Sequence, residues 1–552
     1  MQTKPPVEIS TAVIKALAIF DAPSRRDVML TIRKILKNTP YAFPTSIELW
    51  QVYRQMLKNN FPEHKGIEKV LKIKNVRTDS GVAPITVLTK PFPCPGRCVY
   101  CPTEVRMPKS YISSEPAAAR ALSLQFDPYE QVFQRVQTLE RNGHTANKIE
   151  LIIKGGTWSA YTQEYREWFI TRCFEAANEL KNPIASPSLQ ENETNSNLAH
   201  AQQKNESAEY RIIGLTIETR PDWIKPKEII HLRKLGVTRV ELGLQIINDR
   251  VLKLTKRGTT VADAENAISL LKIAGFKVDV HILPGQPGAS RQDDLDSFKT
   301  LFADPRFRPD MIKIYPCVVL PNAEITEWTE RGDFTPLEGD SLKELLIEMQ
   351  TMIPYYCRVS RMIRDFPTND ISHGNKQSNL RENLEDVMKR RGIQCKCLRC
   401  REVGHVAGDH TNDKTTLFEE YYENAGGTEV FLSIENLDRS AVFGFCRLRL
   451  PDLPLSENVQ EITDAFPVLK TAAHIRELHT YGTALNINQQ DGQASQHKGY
   501  GRKLMEHAEK IASNKGYKNL AVISGIGVRE YYKNLGYHEQ DSYMVKELKN
   551  DE

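Results

Sequence analysis

Three cysteines lie within eight residues of the segment KPFPCPGRCVYCP, which runs from residue 90 to residue 102. Cys94, Cys98 and Cys101 have the spacing C-x3-C-x2-C, so each thiolate can bind one iron of a [4Fe–4S] cluster. The fourth iron then remains open for a substrate or cofactor, whereas clusters that only transfer electrons take four cysteines. The spacing predicts an iron–sulfur centre; a zinc knuckle and three unrelated thiols are the alternatives.

A second group of cysteines, Cys395, Cys397 and Cys400, has the tighter spacing C-x-C-x2-C. Such spacing is typical of a structural zinc site, which needs a fourth ligand from elsewhere in the chain. We expect His373 to supply that ligand, with His405, His410 and Cys317 as the other candidates. Reduced cysteines without a metal remain the alternative.

A glycine-containing turn precedes a long helical pattern near the C-terminus. Gln496, His497, Gly499 and Gly501 lie in the sequence QHKGYG, which fits Q-x-x-G-x-G. Glycines at a helix start let backbone N–H groups approach a pyrophosphate, although a simple capped helix has the same pattern. Tyr531 and Tyr532 follow downstream, and a phenol can orient a bound thioester or donate a proton to it. Both tyrosines can equally be core residues.

Strand-like and helix-like segments alternate in the middle of the chain. Apolar runs at 149–157, 210–219, 238–245, 276–285 and 311–320 are separated by amphipathic stretches. This alternation predicts an α/β fold with a partial or complete βα barrel, whose chemistry lies at the C-terminal ends of the strands. The remaining patterns predict a helical region at 1–75, a barrel domain at 76–388, a cysteine-rich zinc linker at 389–417 and a second α/β domain at 418–552. The Asn/Gln/Ser-rich segment 182–209 is predicted to be a disordered insertion.

Composition excludes several classes of protein. The chain has 552 residues, of which 40% are hydrophobic and 26% are charged, as in a globular protein. It contains no long apolar run and does not begin like a secretory signal. We therefore expect a cytoplasmic protein with no membrane contact. Its net charge of +4 is too small to indicate nucleic-acid binding by itself. Local basic runs at 65–77, 358–364 and 389–401 are candidates for contacts with a phosphate backbone, although each can also be a solvated face.

The three-cysteine loop followed by strand–helix alternation resembles the radical S-adenosylmethionine (SAM) enzymes. The resemblance implies that the open iron binds SAM, which is cleaved to a 5′-deoxyadenosyl radical. Gly155 and Gly156 of the sequence KGGT resemble the glycine motif that contacts the methionine part of SAM. Thr157 departs from the acidic residue that this family usually has there.

The C-terminal domain resembles the GCN5-related N-acetyltransferases (GNAT), with the Q-x-x-G-x-G turn as the acetyl-CoA site. The combination, with the strings CVYCP, GLTIETRPD, IRELHTYG, HKGYG and VISGIGVREYY, resembles the Elp3 family, which includes the catalytic subunit of Elongator. By position, the resemblance implies acetyl-CoA contacts from Lys148, Glu477, Leu478, His479, Thr480, Gln496, His497, Gly499, Tyr500, Gly501, Arg502 and Tyr532.

The same resemblance implies a reaction and a partner. The expected activity is carboxymethylation of C5 of the wobble uridine (U34) in the tRNA anticodon stem-loop, from acetyl-CoA and SAM by a radical mechanism. The short first cysteine spacing indicates a bacterial or archaeal member that acts alone or as a homodimer. The alternatives are a protein lysine acetyltransferase with a structural iron–sulfur cluster, and a metal-stabilised RNA-binding scaffold.

Overall fold

The computed structural model describes residues 3–72, 81–181, 197–406, 408, 410, 413–481 and 499–548. No helix within these ranges combines the length and the apolar character that crossing a membrane requires.

The N-terminal region is helical, as predicted. Its helices are α1 (Val7–Leu17), α2 (Arg25–Ile35), α3 (Ser46–Lys58) and α4 (Lys65–Leu71). Capping boxes fix the starts of α2 and α3. In each box two side chains accept hydrogen bonds from each other's backbone N–H groups: Ser24 and Asp27 at α2, and Thr45 and Glu48 at α3. The helices pack around a small apolar core of their own, in which Ile14 and Tyr53 are fully buried.

The first sheet is parallel and has seven strands in chain order. They are β1 (Ala83–Leu88), β2 (Lys148–Lys154), β3 (Arg211–Thr219), β4 (Arg239–Gln245), β5 (Lys277–Ile282), β6 (Met311–Ile314) and β7 (Arg358–Arg361). Among the described residues no pairing joins β7 back to β1. The barrel is therefore partial, which decides between the two predicted forms.

Helices follow the strands of the first sheet. They are α5 (Pro116–Ser123), α6 (Pro128–Arg141), α7 (Gln163–Glu179), α8 (Leu198–Ser207), α9 (Pro226–Lys234), α10 (Asp249–Leu254), α11 (Val261–Ile273), α12 (Arg291–Ala303), α13 (Ile325–Glu330), α14 (Gly339–Thr351), α15 (Leu380–Arg390) and α16 (Leu398–Arg401).

Helix α8 corrects the prediction that all of 182–209 is disordered. Residues 182–196 lie outside the described part of the chain, but Leu198–Ser207 is helical. Asn205 is fully buried; its side-chain amide donates to Asn178 at 2.8 Å and its oxygen accepts from the backbone of Ile212 at 2.8 Å. The polar composition that suggested disorder is used here to hydrogen-bond α8 to its neighbours α7 and β3.

The second sheet contains β8 (Thr415–Glu423), β9 (Gly427–Asn436), β10 (Val442–Pro451), β11 (Ala472–Thr480), β12 (Asn519–Val522), β13 (His538–Gln540) and β14 (Tyr543–Glu547). Their order is β13-β14-β12-β11-β10-β9-β8, and only β11 and β12 pair in parallel. The accompanying helices are α17 (Gln460–Ala465), α18 (Tyr500–Asn514) and α19 (Arg529–Lys533).

The two sheets meet at the N-terminal edge of the partial barrel. The turn after β12 lies so close to β3 that a Cβ on Gly525 would stand 2.1 Å from the carbonyl oxygen of Ile213. No residue other than glycine fits at this contact without moving backbone atoms. The N-terminal ends of the barrel strands therefore face the second sheet, and their C-terminal ends face away from it.

Buried ions connect the two sheets. Asp310, immediately before β6, accepts hydrogen bonds from Lys272 at 2.8 Å and from Arg476 of β11 at 2.9 Å, and all three side chains are fully buried. Arg476 also donates to Glu429 of β9 at 2.9 Å. Burial alone would raise the pKa of Asp310, but the two cations hold it well below its ordinary value.

Replacing Asp310 with Asn should destabilise the protein strongly. The substitution leaves Lys272 and Arg476 buried without their shared counter-charge, and breaking a buried pair in this way costs roughly 3–5 kcal/mol. Asp340→Asn is the matched control, because that carboxylate is 92% exposed and such pairs contribute about 0–1 kcal/mol. Chemical denaturation of both variants tests the difference, and equal midpoints would contradict the role given to Asp310.

Candidate active site

The cysteine loop, residues 94–101, follows β1 and lies at the C-terminal edge of the first sheet. Backbone hydrogen bonds fix the loop at Val99, whose N–H donates to Thr255 at 3.1 Å and whose carbonyl accepts from Ile325 at 2.8 Å. Cys98 is 8% exposed, and Cys94 and Cys101 are half-buried. The three thiols are thus placed where βα barrels carry their chemistry.

The separation of these thiols suits a cluster better than a single metal ion. A single metal ion needs several ligand atoms close together. In the described ranges, only Cys395, Cys397 and Cys400 form a group of three or more His, Cys, Asp or Glu residues whose ligand atoms all lie within 4.8 Å of one another. Thiolates around one zinc lie about 2.3 Å from the metal, so they cannot be farther apart than roughly 4.6 Å. Cys94, Cys98 and Cys101 do not form such a group, so their thiols do not all lie within the reach of one zinc ion.

The predicted glycine motif follows β2 and contacts the cysteine loop. Gly155 and Gly156 have φ angles of +146° and +84°, and a Cβ on Gly155 would stand 1.7 Å from the hydroxyl of Thr89. Thr157, which replaces the usual acid, has its hydroxyl 3.5 Å from Cys94 Sγ. The motif therefore places a neutral hydroxyl, rather than a carboxylate, beside Cys94.

The interior of the partial barrel is charged, which the sequence analysis did not predict. Glu241, 1% exposed, accepts hydrogen bonds from Lys154, from Lys313 and from His281, the last at 3.0 Å. Glu218 lies 3.2 Å from Lys154. The sequence does contain a sign of this charged interior. Each apolar strand run includes a charged or titratable residue, as in VELGLQ and VDVHI.

This interior shifts the protonation equilibria of its own groups. Burial would raise the pKa of Glu218, but Lys154 and His281 lower it to about 2. Burial lowers the pKa of Lys313 to about 8, against the opposing attraction of Glu241. The barrel interior therefore contains ionised carboxylates and an amine, Lys313, whose pKa is lowered by burial.

In the second domain, the start of α18 and two predicted residues come together. Gly499 precedes α18 with a φ of +72°, a conformation that favours glycine. A Cβ on Gly501 would stand 2.8 Å from the Tyr531 hydroxyl and 3.8 Å from a methyl carbon of Thr480. Burial raises the pKa of Tyr531 to about 12, so its phenol is protonated at neutral pH. Gln496 and His497 lie outside the described residues.

The two candidate tyrosines occupy different environments. Tyr531 is 40% exposed, whereas Tyr532 is 6% exposed and belongs to the core of the second domain. The Tyr532 ring contacts the rings of Tyr531 and Tyr537, with centroids 5.3 and 6.0 Å away. Tyr531 is therefore the better placed of the two to reach a ligand, and Tyr532 supports its position.

Of the other predicted acetyl-CoA residues, Glu477 contacts the barrel and the rest, apart from Lys148, lie within the second domain. Glu477 of β11 accepts from Arg447 at 2.8 Å and lies 3.7 Å from Lys277 of β5; His479 stacks on Phe445. Leu478 packs partly buried against the core of the second domain. Tyr500 and Arg502 lie in the first turn of α18.

Lys148 begins β2, at the opposite end of the strand from the glycine motif. Its backbone pairs with Arg211, whose guanidinium donates to Glu530, beside Tyr531, at 3.0 Å. Burial lowers the pKa of Lys148. Six residue steps along β2 separate Lys148 from Lys154, or about 20 Å. The structure thus places the cysteine loop at the C-terminal ends of the barrel strands, and Lys148 at the N-terminal end, which faces the second domain.

The second cysteine group fits a metal, but without the predicted histidine. Arg381 donates to Cys400 Sγ at 3.4 Å, and Cys400 Sγ lies 3.8 Å from a Glu385 oxygen. Hydrogen bonds from Cys395 and Cys400 hold the pKa of Cys397 well below its usual range. His373 is not part of the group: its side chain is exposed, and its carbonyl accepts from the backbone of Val319 at 2.9 Å.

Two predicted basic runs are largely neutralised within the protein. In 358–364, Arg358 donates to Glu402 at 2.8 Å and Arg364 lies 3.3 Å from Glu115. In 389–401, Arg391 binds Glu344 with two hydrogen bonds and Arg401 pairs with Glu435 in the interior. Lys389 and Arg390 remain exposed at the end of α15, whereas residues 73–77 of the first run lie outside the described chain.

Comparison with known proteins relates this geometry to a family. Residues 93–301 match the radical SAM superfamily and residues 309–390 match the radical SAM C-terminal domain. The chain is 43% identical over 498 residues to a tRNA uridine(34) acetyltransferase of Methanocaldococcus infernus, covering 88% of this chain and 89% of that protein. It is 40% identical over 474 residues to a protein of the same name from Dehalococcoides mccartyi, covering 86% of this chain and 99% of that one.

A eukaryotic relative and a solved structure agree with this result. Elongator complex protein 3 of Homo sapiens is 35% identical over 493 residues, which cover 87% of this chain and 86% of the human protein. The structure of the archaeal Methanocaldococcus infernus Elp3 with an N-terminal deletion superimposes with a TM-score of 0.70 at 40% identity, covering 85% of this chain and 99% of that one. The chain therefore belongs to the Elp3 family of radical SAM enzymes, together with the tRNA uridine(34) acetyltransferases.

Proposed function

We propose that this protein modifies C5 of the wobble uridine of tRNA, with SAM and acetyl-CoA as the other reactants and a carboxymethyl group as the product. The observation that carries the proposal is the presence of two different sites on one rigid frame. A three-thiol loop lies at one edge of the partial barrel, and the Gly501–Tyr531 site lies beyond the other edge. A lysine acetyltransferase would use only the second of these sites.

Cys94, Cys98 and Cys101 are the residues that would hold the [4Fe–4S] cluster. When bound, the cluster supplies the electron that cleaves SAM and so provides the radical chemistry. The protein's own part is to position and to exclude water. Gly155 packs against Thr89 with no room for a side chain, the Thr157 hydroxyl lies beside Cys94, and the Trp158 ring that follows is buried.

The start of α18 is the proposed acetyl-CoA site. The unpaired N–H groups of a helix start bind phosphate oxygens, and Gly499 and Gly501 leave room for a pyrophosphate to approach. The protonated Tyr531 phenol stands over the same turn, where it can donate a hydrogen bond to the thioester carbonyl. Glu477, held by Arg447, fixes the adjoining end of β11.

Cys395, Cys397 and Cys400 would hold a structural zinc, with Arg381 offsetting the excess negative charge of three thiolates. His373 lies outside the group of three thiols, so the fourth ligand is left unassigned. We propose further that the protein acts in the cytoplasm, where thiols stay reduced, and binds the anticodon stem-loop alone or as a homodimer.

The central experiment measures wobble nucleosides by mass spectrometry in tRNA from cells with and without the gene. The proposal expects 5-carboxymethyl-derived uridines to disappear without the gene and to return with the wild-type copy. Purified Tyr531→Phe should modify tRNA at least about tenfold more slowly, since a lost proton donor lowers such rates by roughly 10²–10⁴. Tyr421→Phe, a change at a tyrosine that is 51% exposed, is the matched control. Unchanged uridines in the deletion strain would sink the proposal.

Removal of one thiol tests the cluster assignment. Anaerobically reconstituted wild-type protein should bind close to four irons per chain, and Cys98→Ala should bind almost none, because an iron loses its only protein ligand. Cys173→Ala is the control, since that thiol is fully buried in the apolar core. Equal iron content in the Cys98 variant and the wild type would contradict the assignment.

The zinc assignment is tested separately by Cys397→Ser. Loss of a structural zinc removes several kcal/mol, and each kcal/mol shifts Tm by roughly 2–4 °C in a domain of 150–250 residues. We therefore expect Tm to fall by at least about 5 °C while the iron content stays unchanged. The zinc site would be contradicted if wild-type protein is purified without zinc and its Tm does not change when a chelator is added.

A further inference from the structure

The cysteine loop rests on a buried arginine that no motif of the sequence analysis included. Arg257, in the connection between α10 and α11, is 7% exposed. Its Nη1 donates to Cys98 Sγ at 3.5 Å, and its Nη2 donates to the carbonyl of Gly243, in β4, at 2.7 Å. Its Nε is buried and has no hydrogen-bond partner among the described residues. One of the three thiols is thus held directly against a guanidinium.

A second arginine fixes the first in place. Arg220, at the end of β3, donates to the carbonyls of Arg257 and Gly258, each at 2.9 Å. A Cβ on Gly96 would stand 2.5 Å from Arg220 Nη1, so the loop approaches this side chain as closely as glycine allows. The backbone bond from Val99 to Thr255 ties the loop to the same connection. The position of Arg257 against Cys98 is therefore determined from both sides.

The two arginines differ in how their charges are compensated. Arg220 forms a fork with the carboxylate of Asp222, with both hydrogen bonds at 2.9 Å. Among the described residues Arg257 forms no ion pair with a carboxylate, and its guanidinium donates to the Cys98 thiol and the Gly243 carbonyl. A buried cation without a counter-charge is unfavourable unless an anion lies beside it. The anion that this geometry offers is the Cys98 thiolate.

We propose that Arg257 is a positioning residue that raises the reduction potential of the iron–sulfur cluster through its contact with Cys98. The proposal rests on the cluster assignment made under the proposed function. Three thiolates on a [4Fe–4S]²⁺ core carry a net charge of about −1, and one added electron makes it about −2. A nearby cation stabilises the more negative state more strongly, and burial increases this difference. Arg257 therefore makes the cluster easier to reduce.

Two substitutions at Arg257 test the proposal in the reconstituted full-length chain without SAM or tRNA. The reduced and oxidised forms are measured by EPR at a series of applied potentials. For Arg257→Gln we expect the reduced-to-oxidised ratio at a given potential to fall at least tenfold, which is about 59 mV for a one-electron couple. Arg257→Lys keeps the charge but loses the fork, so we expect a smaller fall of about threefold.

Arg97→Gln is the matched control. Arg97 precedes Cys98 directly but is exposed, so the same loss of charge is screened by water and should change the ratio less than twofold. A ratio unchanged in Arg257→Gln, or an equal shift in Arg97→Gln, would overturn the proposal. If the Gln variant fails to fold, an unchanged ratio in Arg257→Lys overturns it. Iron content separates the two hypotheses, since wild-type protein without iron contradicts the cluster assignment itself.

Discussion

The arrangement of this protein depends on a single buried carboxylate. Asp310 stands between the two sheets, and its contacts with Lys272 and Arg476 join the partial barrel to β11 with no water between them. Arg476 continues the contact to Glu429, so a domain rotation would pull apart buried charges that hydrogen-bond each other across the two sheets. The two sheets therefore behave as one frame, and the described residues of both sites are attached to it.

Because the two sheets form one frame, the distance between the two candidate sites is fixed. The cysteine loop lies at the C-terminal edge of the barrel and the Lys148 end of β2 lies about 20 Å away, beside the second domain. The ion pairs around Glu241 lie in the barrel interior, on the strands that run between these two ends. A reaction that uses both sites therefore needs a polar substrate segment or a moving thioester arm, not a movement of the domains.

Strands, glycines and cysteines were predictable because each produces a local pattern. The apolar strand run before Gly155, and the spacing of Cys94, Cys98 and Cys101, can each be recognised from residues that are close together in the chain. Helix α8 was missed because Asn205 is stabilised by partners on α7 and β3. His373 was favoured for its residue type, but backbone pairing with Val319 places it elsewhere. Arg257 carried no local signal, because its role arises from its contact with Cys98, 159 positions away in the chain.

The most direct test of the account follows the acetyl carbons. Reconstituted enzyme is incubated with tRNA, SAM and acetyl-CoA whose two acetyl carbons are ¹³C, and the wobble nucleoside and the protein's lysines are analysed by mass spectrometry. The account predicts a carboxymethyl uridine that carries both labelled carbons and forms only when SAM is present. Label on lysines with none in the uridine, or labelled uridine formed without SAM, would contradict the claim that the two sites serve one reaction.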